Sequence, residues 1–547
     1  MTSSVFSAEH LLFTPATPDT DAIPVVFAFP NEYSVGITSL GYQVVWASLA
    51  TRSDVQVSRL FTDIHQQLPR KPELLGFSFS WELDYVNILN LLESLLVPIK
   101  SDSRSDNHPL VFGGGSVLTA NPEPFANFFD VILLGDGEEL LDNFIEAYKQ
   151  VRKATRHAQL EALAQVPGVY IPSLYEIDYD SLDGAVKSIQ PATREIPAVV
   201  QKQTYRGNIL SASTVVTEKA AWENIYMVEV VRSCPEMCRF CLASYLTLPF
   251  RTASVENSLI PAIEKGLAVT NRLGLLGASV TQHPEFDKLL DYISQPKYDD
   301  VRLSIASVRT NTVTEELART LAKRDTRSLT IAIESGSPRL RQIINKKLHN
   351  DEIIQAATNA KAGGLTGLKL YGMVGIPGEE EDDLEQTVRM MLNIKKTVPG
   401  LRLTLGCSTF VPKAHTPFQW FGVNPQAEKR LQFLQKELKP KGIDFRPESY
   451  NWSIIQALLS RGDRRLSQLL ELTRNYGDSL GSYKRAFKQL KGQIPDLDFY
   501  VHSRWSTQQL LPWSHLQGAL PQSTLIKHLA DATSQSNNMA QNKLLRI

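Results

Sequence analysis

Twice along this 547-residue chain, short apolar runs rich in β-branched residues alternate with segments of helical periodicity. That alternation restricts the fold to α/β architecture built on parallel sheets. In the first block, about 23–149, IPVVFAF, LLGFSFS, PLVFGGGS and FFDVILLG read as strands, with YQVVWASLA, DYVNILNLLESLL and ELLDNFIEAYK as helices. In the second, about 225–421, the strand candidates are YMVEVV, RLGLLGASV, VRLSIAS, SLTIAIES, GLKLYGMVGIP and LRLTLGC. These βα units are too few to close an eight-stranded barrel, and they suit a partial (β/α)6 barrel open on one side. The expected domains are a Rossmann-like N-terminal unit over 20–150, a strand-poor connector over 151–222, the partial barrel over 223–423 and a helix-rich extension over 424–547.

The strongest chemical signal lies in the barrel block. Cys234, Cys238 and Cys241 form a C-x3-C-x2-C run directly after its first strand, and Cys407 is the one cysteine elsewhere. Three thiolates on one turn can hold a [4Fe–4S] cluster and leave one iron without a protein ligand. Structural zinc is the rival, but it wants four ligands, commonly as two knuckles, and no second C-x-x-C exists. So few cysteines exclude a disulfide scaffold and point to a reducing compartment. With 43% hydrophobic and 21% charged residues the chain is not disordered, and Lys+Arg 57 against Asp+Glu 58 offers no bulk charge for nucleic acid. No apolar run reaches the ~18 residues of a membrane helix. MTSSVFSAEHLLF lacks a basic leader region, so the cytoplasm is the expected location.

With aromatic Phe240 before its last cysteine, the C-x3-C-x2-C run resembles the signature of the radical SAM superfamily. The resemblance implies that the unligated iron chelates S-adenosylmethionine (SAM), whose reductive cleavage frees a 5′-deoxyadenosyl radical inside the barrel. LGASVTQHPEF is similar to the family's Gly-rich segment, which assigns Gly277, Ala278 and Ser279 to the methionine amine. IAIESGSPRLRQIINKK is similar to its fourth strand and following helix. By that likeness Glu334 contacts the ribose, and Lys346, or as second choice Arg341, meets the methionine carboxylate. YGMVGIPGE maps Gly375 and Pro377 to the turn near the adenine. FAFPNEYSVGITSLG, WELDYVNILNLL, GGGSVLTANPEPFANFFDVILLGDGEE, FVPKAHTPFQW and RGDRRL are similar to segments of a largely uncharacterised subfamily, the B12-binding-domain radical SAM proteins.

That subfamily implies cobalamin as a further cofactor. Gly113, Gly114, Gly115, Gly135 and Gly137 stand at successive strand ends, where parallel sheets bind ligands, here a corrin tail. Plain tight turns account for them equally well. Many cobalamin domains place a ligating His after the first strand, in D-x-H-x-x-G; residues 31–41, NEYSVGITSLG, hold none, so no His is expected on cobalt. Cys407 reads as a buried small hydrophobe, Lys413 and His415 as part of a packed wall, and Arg461, Arg464 and Arg465 as a helix-surface charge group.

The leading function is a radical SAM enzyme acting on an unidentified substrate, with cobalamin-assisted methyl transfer or rearrangement among its reactions. It requires an electron donor such as a flavodoxin or ferredoxin. The alternative is a non-catalytic iron–sulfur or cobalamin-sensing interaction protein. No catalytic residue is legible beyond the cofactor set.

Overall fold

The computed structural model describes the backbone of residues 3–544, except 208, 209 and 307, and the side chains of 5–535 within them. The first sheet is assembled from β1 (Ile23–Ala28), β2 (Val55–Leu60), β3 (Leu74–Ser78), β4 (Leu110–Gly114), β5 (Val131–Leu133) and β6 (Val169–Tyr170). Their order is β2-β1-β3-β4-β5-β6, parallel throughout except for the β5–β6 pair. Strand order reverses between β1 and β3, and in such doubly wound sheets the crevice at the carboxyl ends beside the reversal is the ligand site. Helices α1 (Leu40–Ala50), α2 (Tyr85–Ser94) and α3 (Gly137–Val151) follow β1, β3 and β5.

Two of these strands depart from the sequence expectation. β2 has Arg59 as its penultimate residue, a residue that argues against a buried strand. Arg59 is 1% exposed because Glu9, from the N-terminal segment, accepts from both its terminal nitrogens at 2.8 and 2.7 Å, and its guanidinium lies 3.9 Å from the centre of the Trp46 ring. β6 lies in the stretch read as a strand-poor connector. That stretch also holds an antiparallel hairpin of Tyr175–Tyr179 with Val186–Pro191. The connector is therefore partly sheet, and its first strand completes the N-terminal unit.

The barrel strands are β7 (Ile225–Glu229), β8 (Arg272–Leu276), β9 (Arg302–Ile305), β10 (Ser328–Glu334), β11 (Gly367–Val374), β12 (Arg402–Thr409) and β13 (Asp444–Pro447). They form two parallel runs, β7-β8-β9 and β10-β11-β12-β13, joined by a parallel bridge between Val308 and Ile331. All six expected strands are present. β13 adds a seventh beyond residue 423, so the barrel runs on to Pro447; the strand's DFRP is too short and polar to stand out between helices. Alternate residues, including Leu273, Leu275, Ile331, Leu368, Leu370 and Leu405, pack under the outer helices in one core. Their neighbours in sequence face the bore.

Helices α4 (Pro338–Ile343), α5 (Asn350–Ala362) and α6 (Glu381–Thr397) belong to the barrel. The extension carries α7 (Tyr450–Arg461), α8 (Leu466–Asn475), α9 (Leu480–Gln489) and α10 (Gln522–Leu544). It folds back on the N-terminal sheet: Leu458, Leu469 and Trp505 share a core with Phe79, Tyr85 and Phe125. The chain breaks between α7 and α8 at Gly462, where a Cβ would lie 2.9 Å from the Leu458 carbonyl oxygen. This break corrects the reading of three arginines as a surface charge group. Arg461 is 0% exposed and donates to the Tyr500 carbonyl at 2.6 Å, Arg464 pairs with fully buried Glu123 at 3.0 Å, and Arg465 pairs with buried Asp463 at 2.6 Å. Arg461 and Arg464 satisfy buried polar groups of other segments, and Arg465 that of Asp463 at the break itself.

Candidate active site

The cysteine run leaves β7 through Val231 and Arg232, which pair antiparallel with Arg251 and Thr252. Ser233 (φ 71°) and Met237 (φ 54°) take left-handed backbone on either side of Cys234. The Cys241 N–H donates to the Cys238 carbonyl at 2.9 Å, and Cys241 caps the short helix Leu242–Tyr245. The loop is strapped from below. Asn345 Nδ2 donates to the Met237 carbonyl at 2.9 Å and the Glu236 carbonyl at 3.1 Å, while Arg239 donates to the Ile343 carbonyl at 2.6 Å. α10 adds His528, 2.9 Å from the Tyr245 hydroxyl, and Gln535, which accepts from Arg239 at 3.1 Å.

Cys238 and Cys241 lie within electrostatic reach of each other, of Cys234 and of Glu334, and Cys238 also of Lys346. Burial pushes the Cys238 thiol up to about 12, against the nearby Lys346 cation, which favours its thiolate. Burial also raises Cys241, against the Ser244 N–H and hydroxyl, which both favour its thiolate. The buried Ser244 hydroxyl has no other hydrogen-bond partner among the described residues. Donors and a cation aimed at cysteine sulfur suit metal-bound thiolate, and iron binding would displace the protons that burial retains. Among the described residues no three His, Cys, Asp or Glu side chains converge on a point fit for one ion. A cubane, wider than one ion, needs its thiolates farther apart. The donor set fits a cluster held by Cys234, Cys238 and Cys241.

Glu334 ends β10 at φ 62°, where a bulge shifts its pairing to Gly372. Its carboxylate accepts from Lys346 Nζ at 3.0 Å, with both side chains mostly buried. Gly277 (φ 151°) packs where a Cβ would lie 2.6 Å from the Val231 carbonyl oxygen, so the Gly-rich segment rests on the strand entering the cysteine loop. Ser279 Oγ donates to Gln282 Oε1 at 2.6 Å, and that oxygen lies 3.9 Å from Cys234 Sγ. Exposed Ala278 sits between them. The structure thus gathers the three cysteines, Gly277, Ala278, Ser279, Glu334 and Lys346.

The other candidates lie apart from this group. Arg341 is 1% exposed, and its guanidinium donates to the Ser335 carbonyl at 2.7 Å, the Leu348 carbonyl at 2.9 Å and Asn350. Gly375 (φ 74°) donates to Glu379 Oε2 at 2.6 Å, with Ala427 and Asn424 beside its α-carbon. Pro377 lines a separate small cavity with Ile343 and Thr533. Phe240 packs, half-buried, on the core that the N-terminal sheet shares with the extension. Gln282, Glu236, Asn345 and Ser244 were not singled out from sequence. Glu236 does stand inside the cysteine spacing, and Gln282 inside the quoted Gly-rich segment.

A second cavity, of about 320 Å³, opens at the carboxyl ends of the first sheet. Phe27, Phe77, Phe112 and Leu133 form its floor, with α1 and α3 on the other side. Gly114, Gly115, Gly135 and Gly137 line it. Gly41 has nothing within 4 Å of its missing Cβ, and Gly114 and Gly137 meet their nearest atoms at 3.7 and 3.6 Å. The absence of those side chains keeps the space open. Gly113 is turned away, into Phe129 and Leu118. Arg232 also lines the cavity and bonds to Glu138 and Glu229 at 2.7 Å, so its wall and the cysteine loop share one residue.

Residues 228–391, which include all three cysteines, match the family described as the Radical SAM superfamily. These residues are a radical SAM domain. Residues 42–172 of this radical SAM protein match a second family, radical SAM proteins, N-terminal. It is 28% identical over 466 residues to an uncharacterized protein of Methanocaldococcus jannaschii, covering 84% of this chain and 94% of that one. An uncharacterized methyltransferase of Pyrococcus horikoshii is 27% identical over 192 residues, 32% of this chain and 40% of that one. Among solved structures, the radical SAM methyltransferase TsrM of Kitasatospora setae, with cobalamin and a [4Fe–4S] cluster bound, aligns at TM-score 0.48 and 13% identity over 73% of this chain and 77% of that one.

Proposed function

We propose that this radical SAM enzyme binds one [4Fe–4S] cluster through Cys234, Cys238 and Cys241, with SAM beside it between the Gly277–Ser279 segment and the Glu334–Lys346 pair. The observation that carries the reading is the convergence of these elements, distant in sequence, around one largely enclosed cysteine loop, with Cys238 buried and Cys234 and Cys241 half-buried. When bound, the cluster supplies the electron for reductive cleavage of SAM. The chain's own residues hold the thiolates, keep Lys346 charged beside Glu334 and brace the cysteine loop from α4 and α10. Lys346 is held protonated against its burial by the Glu334 carboxylate and the Cys238 sulfur.

Cobalamin is proposed as the further cofactor, its tail in the glycine-lined cavity. When bound it supplies a methyl carrier. Residues 31–41 offer no His, and the next two along the chain turn into their own loops: His65 Nδ1 lies 2.7 Å from the Gln66 carbonyl oxygen, and His108 Nδ1 accepts from the Ser105 N–H at 3.0 Å. Cobalt is therefore expected without protein imidazole. Methyl transfer is the reaction class this arrangement favours, because the cavity and the cysteine loop meet at Arg232. The proposed setting is the cytoplasm, with a flavodoxin or ferredoxin as reductant; among the described residues no helix is long and apolar enough to cross a membrane.

Anaerobic reconstitution tests the reading. About four irons should load per chain, and the reduced protein should convert SAM to 5′-deoxyadenosine and methionine, or transfer its methyl group when cobalamin is added. A fully loaded cluster with neither activity would favour the interaction-protein alternative.

A further inference from the structure

The bore of the barrel carries a pattern that the cofactor set does not use. On β11, Leu368 and Leu370 are 0% exposed and pack outward, whereas Lys369 is exposed and Tyr371 is 57% exposed. β11 is bonded to β10 on one side and β12 on the other, so exposure in mid-strand means that these two side chains face the bore. Their neighbours in register are small or polar. Thr330 and Thr404 flank Lys369, while Ala332 and Gly406 flank Tyr371. The Tyr371 ring lies over Gly406, where a Cβ would meet it at 3.3 Å.

The same parity places Arg272, Arg302 and Arg402, each the first residue of its strand, at the lower mouth of the bore. Arg302 is paired with Asp325 at 2.8 Å. The Lys369, Arg272 and Arg402 side chains have no hydrogen-bond or ion-pair partner among the described residues. Asp444 shares this face and is occupied by Arg446 at 2.7 Å. The lower bore therefore has an excess of positive charge in a walled space, which concentrates anions. Farther round the wall, Ile225 and Met227 of β7 are buried, and partly exposed Leu276 of β8 is an apolar side chain on the same inner face.

We propose that the substrate received in the bore is an amphiphilic anion, with a carboxylate or phosphate group on Lys369 beside Thr330 and an apolar body against Tyr371. The identity of this ligand as substrate rests on the radical SAM reading. Thr330 lies four residues below Glu334 on β10, or about 13 Å at the rise of a parallel strand. The substrate carries its anionic group about that far from the atom that reacts.

Calorimetric titration of the full reconstituted chain, without reductant, with phenyl phosphate and with phenylacetate tests the site. Binding of either is expected, and the tighter one names the head group. Lys369→Gln should weaken it about two- to fivefold, the worth of one partly solvated ion pair. Lys369→Arg should restore it, and Tyr371→Ala should weaken both ligands alike. Failure of both ligands to bind, or unchanged binding in Lys369→Gln, would overturn the assignment. SAM cleavage measured on the same preparations separates the two readings: anion binding without SAM cleavage removes the enzyme reading and leaves the site, and the converse does the opposite.

Discussion

Gly114 and Gly115 stand side by side on the wall of the N-terminal cavity, and alanine is expected to act in opposite directions at the two. Gly115 has φ 114° and ψ 177°, a region that side chains other than hydrogen rarely enter. A Cβ there would lie 2.5 Å from the Phe79 carbonyl oxygen and 3.0 Å from its carbon, backbone atoms that cannot swing aside. The backbone strain costs about 1–3 kcal/mol, and forcing an extra methyl against packed backbone costs about 1–3 kcal/mol more. Gly115→Ala should therefore destabilise the N-terminal unit by roughly 2–6 kcal/mol. At Gly114 the nearest atoms are Leu133 O at 3.7 Å and Leu133 Cβ at 3.8 Å, ordinary contact. Gly114→Ala removes freedom from the unfolded chain and should stabilise by about 0.4–1 kcal/mol. Scanning calorimetry reads the contrast: the transition containing the N-terminal unit should fall by several degrees in one variant and hold or rise in the other. Equal shifts in the two variants would refute the argument from backbone geometry.

Cys238→Ala should lose the iron and Cys407→Ala keep it, measured as iron per chain after anaerobic reconstitution. Glu334→Ala should keep its iron and bind SAM about ten- to a hundredfold more weakly in equilibrium dialysis, the worth of one charge-assisted hydrogen bond. Arg341→Met should instead lower thermal stability, because the Ser335, Leu348 and Asn350 oxygens lose their donor. Gly41→Leu fills the cavity where nothing lies within 4 Å, so cobalamin retention after gel filtration should fall while folding is kept. Burial holds the His515 imidazole down to about 4, so the unfolded chain gains the proton first on acidification. Stability should decline as pH drops from ~6.5, the ordinary His value, toward 4, and His515→Leu should flatten that part of the melting-temperature profile.

Strand–helix alternation was enough to locate both parallel sheets, because fully buried strands and amphipathic helices write distinct periods. Strands were lost where an interaction distant in sequence paid for an unfavourable residue, as with Arg59 and Glu9. Others were lost because they are too short to show a period: β6 spans two residues and β13 four. The cysteine spacing marked the metal site because its ligands are local. Glu334 and Lys346 meet through a bulge and a helix end, and their pairing has no local signature. Arg341 illustrates the opposite case. A cation at plausible spacing is absorbed by the turn after its own helix, and no sequence pattern distinguishes such an arginine from a ligand-binding one.

The packing of α10 against the cysteine loop has a bearing on biosynthesis. The loop occupies residues 234–241, yet His528 and Gln535, which buttress it, belong to the last helix of a 547-residue chain. During translation the thiols emerge long before their final wall does, since domains fold from the N-terminus onward. Iron delivered at that stage would meet a loop that α10 does not yet brace. A stop codon before His528 would then yield a chain with every proposed iron ligand and a cysteine loop without the His528 and Gln535 braces.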